Sequence, residues 1–523
     1  MKISLTLKNI ASVNLVIVLA TLLCLNFVFF GLPQQIDPDE TFFTNGAMMM
    51  LGQLGDPGWY GAPASFLIDF IALFYGVYFL YLKTFFSVSE YWTFYSENYE
   101  DFLLIGRLIC VAIYFFFLKS IVTLLGKRVS FVFLLSSLTF LTLNYYLLSY
   151  ASIVRMDVLQ MLCIIMVIHS CLKVADGRGW KFYFLSGLFV GLGTAAKYPA
   201  VIASVLVIYS AFVDYKSNGS LVDKVKLLLL SGCSSVFGAF LVAPYLFLNF
   251  NKVLSDVSRE ARTEHLSADG LGLFSNTLFY LTEALPQIIT WPVYLFTLAA
   301  FIYFLSEKNK PILLKLLALF FVSYLVFISS LSLHWVRWAL PLLIPTAVFF
   351  GYGVDKFLNK PNLKKSFVLI LIFSHSFYLN AEYIYKVNSG AHNKVSSYQW
   401  VIENLPFLSN VAVEGYTPQL STSDYNLFIP SKANGLDKFV HKNRRPPVLI
   451  GSFATSDYEK FKDAIVSNDV EYILISNWDK RFQKEAERYE LQVNFYNRMN
   501  KDFALIKSFH SDMGQKVEVF KVK

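Results

Sequence analysis

The sequence predicts an α-helical polytopic membrane protein of about 11 spans with a C-terminal extracytoplasmic α/β domain. Hydrophobic residues make up 55% of the 523 residues, and charged residues only 16%. Soluble chains usually carry about 25% charged residues. Apolar stretches long enough to cross a hydrocarbon core of about 30 Å recur from residue 10 to residue 385. Beyond residue 388 the chain becomes polar, and its apolar runs shorten to strand length.

The predicted spans follow one another along the first three quarters of the chain. They lie at 10–32, 102–125, 129–150, 156–174, 181–195, 199–213, 225–247, 286–305, 312–333, 338–354 and 365–385. The first span follows Lys2 and Lys8 and resembles a signal peptide in this respect. It is too long for one and lacks a small-residue cleavage site, so we expect it to be retained.

A further apolar run, at 65–86, decides which side of the membrane each later loop faces. Short basic loops occur near Lys127, Arg178, Lys216, Lys308 and Lys356. Cytoplasmic loops are enriched in Lys and Arg, and all five loops share the cytoplasmic side with the N-terminus only if 65–86 does not cross. We therefore expect a re-entrant or interfacial helix at 65–86, which Asp69 and the many aromatic residues also favour.

This topology divides the chain into two predicted domains. Residues 1–387 form a transmembrane domain with a long outer loop at 33–101 and a second outer loop at 248–285. Residues 388–523 form the α/β domain, which an odd number of spans places outside the cytoplasm. Its expected elements are a first helix in "SSYQWVIENL", strands in "VAVEGY", "PVLIGSF", "EYILIS" and "KVEVFKV", and helices near 456–468 and 480–490.

The ionisable residues next to the apolar segments gather on the outer side of this topology. These residues are Asp39, Glu40, Arg155, Asp157, Lys197, His334 and Arg337, together with the charged loop 248–285. Ionisable groups at membrane depth are costly and are functional candidates by default. Their one-sided distribution predicts an active site at the outer face.

Two acidic motifs each allow two interpretations. Asp39 and Glu40 stand in "QQIDPDETFF". A carboxylate at a membrane surface can accept a proton from a hydroxyl or bind a divalent cation. An acid in this position can also cap a helix, here one beginning near Thr41. Likewise, Asp157 in "RMD" is either a cap paired with Arg155 or a second acid of the same site.

Two basic motifs are also ambiguous. Lys197, followed by Tyr198 in "GTAAKYPAV", lies between two short apolar segments and either snorkels to the surface or meets an anion. His334 and Arg337 open an apolar span in "HWVRW". The aromatic residues there fit an interface belt, and Arg337 can bind a phosphate through its bidentate fork.

The second outer loop contains "SREARTEHLSADG". Its charges fit a solvated amphipathic helix with i,i+3 and i,i+4 pairs. Alternatively, Arg259 and Arg262 contact a substrate, and Glu264 and His265 bind substrate or metal, although one histidine gives weak support for a metal site. A divalent metal ion is the only cofactor that these residues suggest, and the sequence does not require it.

Several common motifs are absent from the sequence. It has no phosphate-binding Gly-rich loop with Lys-Ser/Thr, no HExxH and no Gly-x-Ser-x-Gly. Nucleoside-triphosphate-driven transport and the common hydrolase mechanisms are therefore disfavoured. The net charge of +8 arises mainly from the short basic loops, so it indicates orientation in a membrane and not nucleic-acid binding.

In their order along the chain, these motifs resemble the GT-C superfamily of membrane glycosyltransferases. The resemblance is greatest to bacterial relatives of the dolichyl-phosphate-mannose protein mannosyltransferases and to lipid A aminoarabinose transferases of the ArnT type. The motifs that carry it are "PDE", "RMD", "AAKYPA", "HWVRWALPLLIP" and "SSYQWVIENLP". Family members often have a His-Pro-Pro-like stretch after the acidic motif, whereas this chain reads "GWYGAPASF".

The resemblance implies an inverting glycosyltransferase of the bacterial inner membrane. Its donor would be a sugar on a polyprenyl phosphate, and its acceptor a hydroxyl of a glycan, a lipid such as lipid A, or a protein. Asp39 would be the general base, and Lys197 and Arg337 would neutralise the leaving phosphate. Glu40 and Asp157, with Glu264 and His265, would position the acceptor or a metal.

Three other functions are compatible with part of the sequence. A transporter or flippase of lipid-linked sugars would use the same cations, but it should show repeated halves and polar residues on both faces, and the sequence shows neither. An oligosaccharyltransferase or ligase of the same superfamily is not distinguished from a single-sugar transferase. A simple membrane anchor for the α/β domain would not need eleven spans.

Overall fold

A computed structural model of the chain describes residues 7–52, 55–61, 65–218, 220–261, 266, 268, 270–359, 363–389, 392–439 and 451–522. Most of these residues are helical. The α-helices are α1 Leu7–Phe27, α2 Pro38–Gly52, α3 Ser65–Phe86, α4 Tyr91–Glu97, α5 Tyr99–Leu125, α6 Phe131–Thr142, α7 Tyr145–Ala151, α8 Asp157–Ala175, α9 Trp180–Ala196, α10 Ser204–Asn218, α11 Leu221–Val242, α12 Tyr245–Leu248, α13 Phe250–Glu260, α14 Leu273–Phe279, α15 Leu285–Ile289, α16 Trp291–Ser306, α17 Ile312–Ser329, α18 Leu343–Phe357, α19 Leu363–Asn388, α20 Asn393–Asn404, α21 Tyr458–Ser467, α22 Trp478–Gln483 and α23 Glu490–Asp502. Short 3-10 turns cover Tyr198–Ala203, Val336–Leu342 and Phe453–Thr455, and a π-turn covers Tyr280–Ala284.

Six strands near the C-terminus form one mixed sheet. They are β1 Asn410–Val413, β2 Asn426–Ser431, β3 Gly435–Lys438, β4 Tyr472–Ile475, β5 Ala504–Phe509 and β6 Val517–Lys521. Their order is β3-β2-β1-β4-β6-β5, with β1 parallel to both β2 and β4. Three of the predicted strands, in "VAVEGY", "EYILIS" and "KVEVFKV", are present. Most of "PVLIGSF" lies outside the described residues, and its last residue, Phe453, begins a 3-10 turn.

The chain divides into two compact units. The first, here called the helical unit, comprises Met1–Val28, Gly46–Gly76 and Ile105–Tyr383. The second, here called the sheet unit, comprises Phe29–Asn45, Val77–Leu104 and Ile384–Lys523. The predicted transmembrane domain, 1–387, therefore contributes two early segments to the unit that contains the sheet. One of these segments carries Asp39 and Glu40.

The chain is an integral membrane protein by the length and composition of its helices. Eight helices in the described part of the chain are long and apolar enough to span a membrane, or ten if each of two bent pairs is one span. The bent pairs are α6 with α7, at 64°, and Leu273–Ile289 with α16, at 119°. The second pair begins inside the predicted outer loop 248–285. The predicted segments 181–195 and 199–213 correspond to shorter helices, and the count of eleven stays a prediction.

Helix α3 covers the segment predicted at 65–86. It is one uninterrupted helix of 22 residues, and it qualifies as a candidate span by length and composition. At 1.5 Å per residue such a helix is about 33 Å long, enough to cross a hydrocarbon core. The helix itself is therefore present as predicted, and its re-entrant or interfacial placement stays a prediction.

Helices α9 and α11 approach closely because glycines line their contact. Gly187 and Gly191 form a G-x-x-x-G stripe on α9. A Cβ atom at either position would lie 1.9 Å from a backbone carbonyl oxygen of α11, that of Ser231 or Ser235. Small residues allow this approach of helix backbones in membranes. The packing fixes α9, whose C-terminal end carries Lys197.

Candidate active site

A buried cluster of charges forms around Asp157 in the helical unit. The Lys197 Nζ atom lies 2.6 Å from Asp157 Oδ1, and the Arg155 Nε atom lies 3.2 Å from Asp157 Oδ2. All three side chains are buried. Each oxygen of the carboxylate is therefore paired with a different cation. Ion pairs in such surroundings persist only when their geometry and hydrogen bonds are good.

These residues lie at the ends of two helices. Asp157 is the first residue of α8, following Met156 at the N-cap position. Lys197 ends α9 with extended backbone dihedrals just before the 3-10 turn Tyr198–Ala203. The Arg155 guanidinium also lies over the Tyr150 ring, 5.2 Å from its centroid. Of the two interpretations of Lys197, snorkelling is wrong, because the ammonium is buried against a carboxylate.

Arg337 adds a third positive charge to this cluster. It lies in the 3-10 turn Val336–Leu342, and its charge acts on both Asp157 and Lys197. Its guanidinium packs 4.7 Å from the centroid of the Trp335 ring, a cation–π contact. Two cationic side chains thus contact the Asp157 carboxylate, and the charge of a third acts on it. This excess of positive charge suits the binding of an anion such as a phosphate.

The backbone before Arg337 is fixed by two hydrogen bonds. The His334 N–H donates to the Ala268 carbonyl oxygen at 3.2 Å, and the Trp335 N–H donates to the Tyr280 hydroxyl at 3.4 Å. The His334 ring packs edge-on against Phe279, and its Nδ1 atom has no hydrogen-bond partner among the described residues. The role predicted for His334 in substrate binding stays a prediction.

A set of hydrogen bonds, here called the brace, links Tyr198 to Tyr60 and Asp256, and sequence reasoning missed it. The Tyr198 hydroxyl donates to the Tyr60 carbonyl oxygen at 2.8 Å, and the Tyr60 N–H donates to Asp256 Oδ2 at 3.1 Å. The Tyr60 hydroxyl and the Asn249 amide both donate to Asp56. The brace ties the residue next to Lys197 to the loop that carries Tyr60 and to helix α13, which carries Asp256. The Gly/Pro-rich stretch "GDPGWYGAP" marked this loop, but nothing in the sequence indicated its partners.

The acidic motif in the sheet unit is a capping box. Asp37 is the N-cap of α2, since its Oδ1 accepts the Asp39 N–H at 2.9 Å, and Pro38 is the first helical residue. Glu40 Oε2 accepts the N–H groups of Ile36 at 3.1 Å and Asp37 at 3.5 Å. This reciprocal pattern satisfies backbone donors at the helix start. The cap is therefore Asp37, and α2 begins before the predicted position near Thr41.

The two neighbouring acids have different surroundings in this motif. Glu40 is completely buried and holds backbone N–H groups, whereas Asp39 is half-buried at the second helical position. The Glu40 carboxylate thus stabilises the start of α2 by accepting backbone hydrogen bonds, and its predicted catalytic role stays a prediction. Asp39 remains the candidate base of the motif.

The predicted metal and substrate residues of the second loop are only partly described. Arg262, Glu264 and His265 lie outside the described residues. Arg259 is exposed in the last turn of α13, and no contact in the described part of the chain joins it to the Asp157 cluster. No group of three or more His, Cys, Asp or Glu side chains that could hold a metal is found among the described residues.

Solved structures show which fold these elements build. No family model matches the sequence, and no curated protein matches it. The chain aligns with the crystal structure of ArnT from Cupriavidus metallidurans bound to undecaprenyl phosphate, with a TM-score of 0.54 and 12% identity over 97% of this chain and 98% of ArnT. The apo structure of the same ArnT gives 0.53 and 13% with the same coverage. The chain has the ArnT fold.

This likeness covers nearly the whole length of both chains. It confirms the predicted fold class of membrane helices with a C-terminal α/β region. A partial match to the S. cerevisiae protein O-mannosyltransferase Pmt1-Pmt2 complex bound to the sugar donor has a TM-score of 0.35 and 15% identity, over 52% of this chain and 39% of that chain. At 12% and 13% identity, the alignment with ArnT shows a shared fold, and the roles of single residues rest on the geometry above.

Proposed function

We propose that this protein is an inverting glycosyltransferase that moves a sugar from a polyprenyl-phosphate donor to an acceptor hydroxyl at the outer face of the membrane. The observation that carries the proposal is the excess of positive charge around Asp157, formed by the buried Arg155 and Lys197 and the half-buried Arg337. The fold supports it, since ArnT of the same fold was crystallised with undecaprenyl phosphate.

The proposed reaction assigns one task to each group. The acceptor oxygen attacks the anomeric carbon while its proton passes to the Asp39 carboxylate. The bond between the anomeric carbon and the phosphate oxygen breaks, and both bonding electrons leave with polyprenyl phosphate. Attack from the face opposite the phosphate inverts the anomeric configuration. Negative charge grows on the leaving phosphate, and Lys197 and Arg337 stabilise it in the transition state.

Asp157 has a supporting task in this proposal. Its carboxylate pairs with Arg155 and Lys197, so both oxygens are already engaged. It therefore holds the cations in place and does not accept the proton of the acceptor. Asp39, half-buried at a helix start, is the acid that we assign to proton transfer.

The proposal is tested with purified protein in nanodiscs that contain a lipid extract of the cell envelope as the source of acceptors. Single sugars linked to undecaprenyl phosphate are supplied as donors, and the formation of undecaprenyl phosphate is measured. General-base assistance contributes about 10²–10⁴-fold, so Asp39→Asn should lose turnover by this factor. The control is Asp463→Asn, which changes an exposed acid on α21 and should keep the wild-type rate.

Three outcomes would overturn the proposal or a part of it. Wild-type turnover in Asp39→Asn would show that Asp39 is not the base. No turnover with any donor, together with binding of undecaprenyl phosphate by wild type and variant alike, would favour a transporter of lipid-linked sugars. An oligosaccharide donor that is used while every single-sugar donor is refused would replace the single-sugar transferase with an oligosaccharyltransferase.

A further inference from the structure

The segment that carries the acidic motif is fastened to the C-terminal part of the chain within the sheet unit. The Gln34 side chain makes two hydrogen bonds to the backbone of Gln419. Its Nε2 donates to the Gln419 carbonyl at 3.1 Å, and its Oε1 accepts the Gln419 N–H at 2.7 Å. Gln34 is buried, so these bonds are shielded from water. The two residues are 385 positions apart in the sequence.

A buried lysine lies next to the same segment. The Lys394 Nζ atom donates to the Gln35 carbonyl oxygen at 3.3 Å, and Lys394 is only 5% exposed. Its positive charge interacts with the negative charges of Glu40 and Asp37, the two residues of the capping box. A buried ammonium is costly unless charges or hydrogen bonds compensate it. The capping box supplies this compensation, so Lys394 and the start of α2 stabilise each other.

Lys394 is itself held firmly by the sheet unit. It lies in the first turn of α20, where its N–H donates to His392 Nδ1 at 3.3 Å. The preceding residue, Asn393, bonds to the backbone of Ser511 and Gly514 in the connection between β5 and β6. Further along α20, Val401 packs in the core of the sheet. A continuous set of contacts therefore runs from the sheet core to the capping box.

We propose that the α/β part of the sheet unit sets the position of Asp39, and that Lys394 and Gln34 are the positioning residues. This inference rests on the proposed function, in which Asp39 is the base. Asp39 lies between Asp37 and Glu40, the two acids whose charges compensate Lys394. A displacement of about 1 Å at a reacting group can cost about 10²-fold in rate. A domain outside the membrane thus contributes to catalysis through contacts with the backbone of the motif.

The pKa of Lys394 reflects the same surroundings. Burial lowers this pKa to about 8, and the nearby negative charges of Glu40 and Asp37 partly oppose the decrease. The ammonium therefore depends on the two acids for its charge in the folded protein. This supports the geometric argument that the lysine and the capping box form one structural group.

The test compares Lys394→Met, which keeps a long side chain without charge, with Lys394→Arg, which restores the charge. We expect Lys394→Met to lower kcat about tenfold to 10²-fold with the donor KM changed by less than about twofold. Lys394→Arg should recover most of kcat. Hydrogen exchange of the amides of Ile36, Asp37 and Asp39 is measured in the same variants and should become at least about tenfold faster in Lys394→Met.

The matched control is Lys516→Met. Lys516 is a nearly buried lysine of the same unit that pairs with Asp479 at 2.6 Å and Glu518 at 2.9 Å. This variant should lower Tm but leave kcat and the exchange of residues 36–39 unchanged. An equal loss of kcat in both variants would mean that Lys394 acts only on stability, and it would overturn the proposal.

Hydrogen exchange separates this inference from the proposed function. If Asp39→Asn keeps full turnover, the proposed base is wrong, and faster exchange in Lys394→Met still shows whether Lys394 fastens the motif. Unchanged exchange at 36–39 in Lys394→Met would refute the fastening whatever happens to kcat. Faster exchange with a wild-type kcat would refute the positioning role.

Discussion

Asp157 of the helical unit and the buried acids of the sheet unit are held in different ways. In the helical unit, Asp157 is held by side chains, with Lys197 at 2.6 Å and Arg155 at 3.2 Å. In the sheet unit, buried acids are held by backbone amides. Glu40 accepts the Ile36 N–H at 3.1 Å, and the two oxygens of Glu414 accept the N–H groups of Phe453 and Ser476 at 3.0 Å.

The difference shows what each acid can do for the protein. An acid held by cations joins distant segments and fixes charges that can act on a ligand. An acid held by amides fixes the local backbone and does not have to be ionised for that task. Removing the first kind exposes buried positive charge, whereas removing the second kind leaves backbone donors without an acceptor. The expected effects of substitution therefore differ in size and in pH dependence.

The largest effect is expected from breaking the ion pairs of the helical unit. Asp157→Asn leaves the buried Arg155 and Lys197 without an ionised partner, which should cost about 3–5 kcal/mol of unfolding free energy. Unfolding of the purified protein in detergent measures this loss. The control is Asp223→Asn, whose exposed partner Lys226 lies at 3.9 Å, and it should cost less than about 1 kcal/mol. Equal losses would contradict the stabilising role of the buried pairs.

The role assigned to Lys197 can be tested by measuring turnover. Lys197→Met removes one of the groups assigned to the leaving phosphate and should lower kcat about 10²–10³-fold. Lys356→Met is the control, since Lys356 makes a partly exposed ion pair with Glu307 and should keep the wild-type kcat. A wild-type kcat in Lys197→Met would remove Lys197 from the proposed reaction and leave it only its pairing with Asp157.

The amide-held Glu414 should make stability depend on pH. Burial raises its pKa to about 8, although hydrogen bonds from Tyr496, Ser476 and Phe453 oppose the shift. Because the folded pKa exceeds the unfolded value of about 4.3, the folded state binds the extra proton between these pH values. The stabilisation is complete below about pH 4.3 and is lost as pH rises through about 8, at about 1.4 kcal/mol per pH unit within the window.

The measurement is the unfolding free energy from pH 5 to 9 in the wild type and in Glu414→Gln. The Gln side chain does not titrate, so the difference between the two proteins should decrease steadily up to about pH 8 and then become constant. A difference that does not change with pH would show that Glu414 is ionised throughout.

The smallest effect is expected at the capping box. Glu40→Ala should cost about 1 kcal/mol, the usual value of a lost helix cap, and speed the exchange of the Ile36 and Asp37 amides about fivefold. Glu40→Gln keeps an acceptor for these amides, as capping boxes with Gln do, and Asp37 still supplies a negative charge to Lys394, so this variant should retain most of the protection and turnover. If Gln lowers turnover as strongly as Ala while protection is retained, Glu40 has a chemical role as well.

Several features of the protein were determined by the sequence itself. The excess of apolar residues and the short basic loops predicted membrane helices, and the polar tail predicted an α/β region. The motifs "RMD", "AAKYPA" and "HWVRW" contain the four residues that form the charged cluster, Arg155, Asp157, Lys197 and Arg337. The helix start was predicted too late, near Thr41, although the order Asp37-Pro38-x-Glu40 fits a start at Pro38, since Pro favours the first helical position and Glu the third.

Only the tertiary structure decided which of these groups meet. Lys197 and Asp157 are 40 positions apart, and Lys394 and Gln35 are 359 apart. Such pairings depend on helix packing, including the glycine contact of α9 with α11, and no local pattern encodes them. Local chemistry thus fixed the candidate residues and the capping box, and long-range packing brought Lys197 to Asp157 and Lys394 to the capping box.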